Sequence, residues 1–151
     1  MQATIISDTS CLILLDKVGE LNLLHRLYGE VVTTQVVANE FGKQLPEWIR
    51  IQNAKATASQ FVLEAALDKG EASVLALALE MKNCLLIIDE QKGRKLARQL
   101  GLTITGTLGV LAQAKLNRYI PMLSPLLDKI KQTDFRLSEQ LIQEVLKEVG
   151  E

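Results

Sequence analysis

The sequence predicts an α/β fold built on a mostly parallel sheet, and three features predict it. Short segments rich in β-branched residues alternate with longer segments of helical periodicity, the pattern of strand–helix–strand units. One short segment, residues 84–88, reads Cys-Leu-Leu-Ile-Ile and is apolar throughout, as a strand covered on both faces should be. No internal repeat, low-complexity tract or Pro/Gly/Ser-rich linker interrupts the alternation.

Taken in order, residues 4–6 (Thr-Ile-Ile) read as the first strand and residues 11–18 and 21–28 as the helices that follow. Residues 30–33 (Glu-Val-Val-Thr) form the next β-branched run, followed by helical pattern over 35–43. The segment 71–82 is apolar nearly all round through its Ala/Leu-rich part, so it should be a buried helix. Strand 84–88 comes next, then a helix over 90–100, a strand over 102–105 and a helix over 108–117. From Pro121 onward the chain reads as two more helices, 125–132 and 138–149.

Composition narrows the function classes. At 151 residues the chain is expected to be one domain spanning 1–151, large enough for a full core. Its longest apolar runs are far too short to span a bilayer, and no signal-peptide pattern is visible at the N-terminus. Cys11 and Cys84 make no metal-ligand spacing and read as reduced thiols of a cytoplasmic protein. With His25 the only histidine, a two-histidine zinc site within one chain is impossible, and a hard-metal site must use carboxylates. The net charge of −1 supplies no global attraction for nucleic acid, so any polyanion must be bound locally or through a metal.

In open α/β sheets, ligands bind outside the carboxyl ends of the strands. Asp8 follows the first strand and precedes Thr9 and Ser10; one of these three suffices as a helix cap, which leaves the others for another purpose. Asp89 repeats the arrangement after the buried strand, and adjacent parallel strands would bring the two aspartates together. Glu40 shares a helix face with Val36 and Val37, where a carboxylate is costly to bury unless paired or metal-bound; the plainer reading is a snorkelling side chain. Glu71 stands three residues after Asp68, the spacing of a capping box, which equally suits a cap or a ligand. Two carboxylates about 5 Å apart repel by roughly 3 kcal/mol at an effective dielectric near 20. Four in one cleft must therefore take up protons or bind a divalent cation, and an acidic metal cleft can activate water against a phosphodiester.

Asp8-Thr9-Ser10 after the first strand, Glu40 on a following helix, Gly70-Glu71 opening an Ala/Leu-rich helix and Ile88-Asp89-Glu90 after a core strand together resemble the PIN-domain superfamily. The run at 100–111, Leu-Gly-Leu-Thr-Ile-Thr-Gly-Thr-Leu-Gly-Val-Leu, resembles a prokaryotic branch of it related to VapC toxins, and the likeness covers nearly the whole chain. The resemblance implies a Rossmann-like three-layer α/β/α sandwich with about five parallel strands, the first of them central. It implies a magnesium- or manganese-dependent ribonuclease, often the toxin of a type II toxin–antitoxin pair and often homodimeric. RNA, a cognate antitoxin and a second copy are then the expected partners. Asp8, Glu40, Glu71 and Asp89 carry over as catalytic, metal-binding acids and Ser10 as a supporting residue. Thr107 carries over as a group that orients a metal-bound water or a phosphate, with a plain helix N-cap as the alternative. The third acid departs from many VapC toxins, being a glutamate after glycine instead of an aspartate.

The helix after Asp89 carries Lys92, Arg94, Lys95 and Arg98, either a solvated face or a guide for RNA phosphates. Arg94, about one turn from Asp89, is the expected phosphate contact. Aromatic residues make up only 4% of the chain, too few for a base-stacking platform. The helices at 11–18 and 21–28 look more apolar than a solvent face, which predicts a partner interface there or, failing that, burial beneath the C-terminal helices. Two other functions compete with the nuclease. One is a non-catalytic PIN-like module that binds RNA or protein. The other is a receiver-like protein phosphorylated on Asp8 or Asp89, which would leave Glu40 and Glu71 idle.

Overall fold

Strands that are apolar on both faces have to be covered on both sides, and Ile6, Leu86 and Ile87 are wholly buried. They belong to β1 (Thr4–Ser7) and β4 (Cys84–Ile87), the middle of the sheet. The computed structural model describes residues 3–151, and among these five strands form a single sheet in the order β3-β2-β1-β4-β5. The others are β2 (Val31–Thr33), β3 (Ile49–Ile51) and β5 (Thr103–Thr105), and every pairing is parallel. The predicted α/β class, the central position of the first strand and the strand number all hold. So do the expected helices, α1 (Thr9–Lys17), α2 (Asn22–Tyr28), α3 (Gln35–Phe41), α5 (Lys69–Leu79), α6 (Gln91–Gln99), α7 (Thr107–Leu116), α8 (Ser124–Lys131) and α9 (Glu139–Glu148), which with α4 (Thr57–Leu63) flank the sheet as an α/β sandwich.

The strand order creates a switch point. From β1 the chain turns one way to build β2 and β3, then crosses back to lay β4 on the other side of β1. The crevice beyond the carboxyl ends of β1 and β4 is where such sheets bind ligands. Register fixes what stands there: Ser7 pairs with Ile87, the Asp8 amide donates to the Ile87 carbonyl at 3.0 Å, and the Ile88 amide donates to the Thr105 carbonyl at 2.9 Å. Asp8 and Asp89 therefore leave neighbouring strands at the same edge.

Two elements were not foreseen. Strand β3 is a short edge strand, Ile-Arg-Ile, with only Ile49 buried, so its pattern is barely apolar. Helix α4 has a non-capping Ala56 at its start and buries only Leu63, so no amphipathic stripe marks it. The expectation of an exposed apolar face on α1 and α2 is overturned. Cys11, Leu12, Leu14, Leu15, Leu23 and Leu24 all lie in the chain's own core, with α1 packed on α3 and α2 on α7 and β2. The most exposed large apolar side chains among the described residues lie on α4, where Phe61 is 78% and Val62 69% accessible. Among the described residues no helix is long and apolar enough to cross a membrane.

Helix α5 is the pillar of the arrangement. Every residue from Gly70 to Ala78 is buried, so a polar group on its first turn has no way out to solvent except through the crevice. Truncating Leu75, which is fully buried on this helix, should lower stability by about 3 kcal/mol. Urea unfolding of Leu75→Ala should show a shifted midpoint with an unchanged slope.

Candidate active site

A cavity of about 480 Å³ opens at the switch point, and Asp8, Ser10, Glu40, Asp68, Glu71 and Lys92 are among its lining residues. Asp8 occupies the N-cap position of α1, but its side chain makes no capping hydrogen bond. Its carboxyl is thus left to the cavity, although only 4% of the residue is accessible. Ser10, two residues further along α1, is exposed at the rim.

Glu40 arrives from α3, and a hydroxyl relay sets that helix against α5. The Thr34 side chain caps α3 by accepting from the Val37 amide at 3.2 Å and meets Ser73 Oγ at 2.6 Å. Ser73 Oγ spends its single hydrogen on the Gly70 carbonyl at 2.7 Å, so Thr34 is the donor between them. This draws the two helices together until the Glu40 carboxylate lies directly on Gly70, where a Cβ would overlap it. Thr9 Oγ1 donates to Glu40 Oε1 at 2.6 Å and orients it. Glu40 is exposed and reaches the cavity from its rim, instead of lying buried on the Val36–Val37 stripe as its spacing suggested.

Glu71 is placed by its own helix start. Asp68 caps α5, its Oδ1 accepting from the Glu71 amide at 2.8 Å, as the capping-box spacing predicts. The reciprocal half is missing: Glu71 Oε2 is buried and has no hydrogen-bond partner among the described residues. That oxygen faces Gly93 of α6, where a Cβ would stand 3.1 Å from it and 2.6 Å from Ile88 Cδ1. An orphaned carboxylate oxygen at 6% exposure is an expensive feature for a purely structural residue.

Asp89 is drawn to one side. Its Oδ1 accepts from the Thr107 amide at 2.8 Å and its Oδ2 from Thr107 Oγ1 at 2.6 Å. The N-cap of α7 is Gly106, which has no side chain, so Asp89 caps that helix from the neighbouring strand. Thr107 is the first residue of α7, not its cap, and it anchors Asp89. Arg94 Nη1 donates to the Ile88 carbonyl at 2.7 Å, directly behind Asp89. The structure thus brings Asp8, Glu40 and Glu71 together with Ser10, and gathers Asp89, Thr107 and Arg94 into a second cluster beside them. Asp68, read from sequence only as a cap, is a lining acid; its place three residues before Glu71 was the available signal.

The charges respond to this crowding. Burial first, and then the Asp68, Glu40 and Asp89 carboxylates, push the Asp8 carboxyl up to about 7. Burial, followed by the neighbouring Asp68 and Asp8 carboxylates, holds Glu71 well above the ordinary range, at about 8. Paired acids with raised affinities for protons in a cleft are a functional-site signature.

A family model described as a PIN domain matches residues 4–151. The chain belongs to the PIN-domain family. No curated protein matches it closely enough to carry a function across. PIN domains are generally nucleases and typically use divalent metals. The cavity of this PIN domain fits such an ion in chemistry: its donors are carboxylate oxygens, burial and mutual repulsion raise the proton affinity of two of the acids, and Glu71 Oε2 has no partner among the described residues. As the side chains stand, no three acidic, cysteine or histidine groups among the described residues converge on one point.

Two outcomes follow. A carboxyl whose native affinity for protons is raised contributes most to stability below its ordinary range, near pH 4, and loses that contribution as pH rises to about 7. Without divalent ions, Asp8→Asn should therefore raise the melting temperature by about 5 °C at pH 8 and leave it unchanged near pH 4, read by thermal scans across pH. Gly70→Ala should fold normally, because the atom it meets is the far end of a flexible side chain, yet expel Glu40 from its seat. Manganese titration by calorimetry should then show at least about a tenfold weaker site.

Proposed function

We propose that this PIN domain is a divalent-metal-dependent endoribonuclease that hydrolyses RNA phosphodiesters at the acidic cavity. The observation that carries the reading is Glu71 Oε2, buried without a partner among the described residues and beside a second buried acid, Asp8. A carboxylate pair of that kind is stable in the ionised state only when a cation stands between the groups.

Asp8, Glu40 and Glu71 would hold magnesium or manganese. When bound, the ion offsets the carboxylate charge, polarises phosphoryl oxygens and acidifies water. The protein's own contribution is positional. Asp8 and Glu71 give up the protons that burial had kept on them, which makes loading favourable at higher pH. Thr9 holds Glu40 in line, and Ser10 at the rim supports the incoming backbone. Asp89, locked onto Thr107, ties the end of β4 to the start of α7 and adds negative charge behind Asp8.

The toxin role extends this reading through the resemblance carried by residues 100–111, with a cognate antitoxin or a second copy as partner. Phe61 and Val62, exposed on α4, are the apolar surface such a partner would cover. A cytoplasmic setting is supported by Cys11 and Cys84, both free, with burial pushing the Cys11 thiol up to about 12. The competing function, a non-catalytic module, draws support from the commitment of both Asp89 oxygens to α7.

Millimolar manganese should raise the melting temperature of the wild type by mass action and leave Asp8→Asn and Glu71→Gln unmoved. A short mixed-sequence RNA should be cleaved by the wild type with manganese and by neither variant. Binding of that RNA without metal-dependent cleavage would give the function to the module instead.

A further inference from the structure

We propose that Lys92 is the substrate-contacting cation of the cavity, holding the phosphate next to the cleaved bond, and this rests on the ribonuclease reading above. The basic face of α6 offered Lys92, Arg94, Lys95 and Arg98 as candidates, with Arg94 favoured by its nearness to Asp89. The structure redistributes them. Arg94 Nη1 is spent on the Ile88 carbonyl at 2.7 Å, and its half-buried guanidinium faces Gly106 and Asp89. Lys92 is the only cation lining the acidic cavity among the described residues.

Its position is dictated by its neighbour. Gly93 packs against Ile88 and Glu71 Oε2 so closely that a Cβ would clash, and this contact pins the first turn of α6 over the cavity. Lys92 is thereby carried to the rim, exposed, and no ion pair among the described residues involves it. Glu90, Asp68 and Glu40 line the same opening, so an RNA phosphate approaching it meets acidic side chains and this one positive charge. Because the chain's net charge is −1, no distant field compensates. Lys95 and Arg98 continue from Lys92 along one side of α6 over roughly 9 Å of helix axis, a path for the phosphates that follow.

The test compares wild type, Lys92→Gln and Lys92→Arg in manganese-dependent cleavage of a short mixed-sequence RNA and in binding of that RNA with calcium in place of manganese. Lys92→Gln should raise KM roughly tenfold with a smaller change in kcat. It should reduce the salt dependence of binding by about one phosphate contact. Lys92→Arg should recover most of both, and the manganese-induced thermal shift should be the same in all three chains. Unchanged KM and unchanged salt dependence in Lys92→Gln would overturn the assignment. If the wild type binds RNA but never cleaves it, the ribonuclease reading fails by itself. In that case weaker binding by Lys92→Gln still supports the contact, and equal binding overturns it.

Discussion

The first turn of α5 is approached from two sides more closely than side chains normally permit. Gly70 lets the Glu40 carboxylate of α3 rest against the backbone, and Gly93 lets α6 settle onto Glu71 and Ile88. Both contacts exist because a Cβ is missing, and together they bring three helices to one point at the carboxyl edge of β1 and β4. Helix α5 cannot yield, since its residues from Gly70 to Ala78 are buried on all sides. The cavity is therefore defined by a rigid, apolar pillar whose polar end is reached only through the switch point of the sheet.

That rigidity sets the electrostatics. A flexible acidic cluster relaxes by turning its carboxylates into water, whereas Asp8 and Glu71 are held in place by a strand end and a buried helix start. Their mutual repulsion and desolvation remain as stored free energy, visible in their raised affinity for protons. Alongside stands a cluster of the opposite character. Asp89, Thr107, Gly106 and Arg94 satisfy one another: the carboxylate caps a helix whose own cap residue has no side chain, and the guanidinium closes a strand carbonyl. One group of polar residues stabilises the fold while its neighbour is left unsatisfied, a division expected where structure and function share an edge.

Much of this was legible in the sequence. The apolar run of β4 announced a covered central strand, and the strand-end rule located Asp8 and Asp89 on one edge. The Asp68–Glu71 spacing announced the start of α5. Elements with weak periodicity were not legible: β3, an edge strand alternating Ile-Arg-Ile, and α4, which leaves Phe61 and Val62 in solvent. Within the site, sequence spacing could not tell Lys92 from Arg94, because the two differ by a rotation about the axis of α6 and only the packing of Gly93 fixes that rotation. Nor could it show that Asp89 would be claimed by Thr107, a residue of the next strand–helix unit. The apolar pattern of α1 and α2 was read as a partner face, whereas its residues belong to the protein's own core.

The strand order also has a history in time. As the chain emerges, β1 is made before the other described strands, yet its partner β4 lies beyond two further strands and five helices. Until that stretch is complete, one edge of the central strand has nothing to pair with, and long-range parallel pairing is slow to close. The acids share this schedule. Asp8 is synthesised early, but Glu71 joins it only once α5 has formed, and α6 must follow before the cavity has its last wall. A nascent or truncated chain thus carries the ingredients of the site without assembling it, so any hydrolytic activity would be confined to the finished molecule.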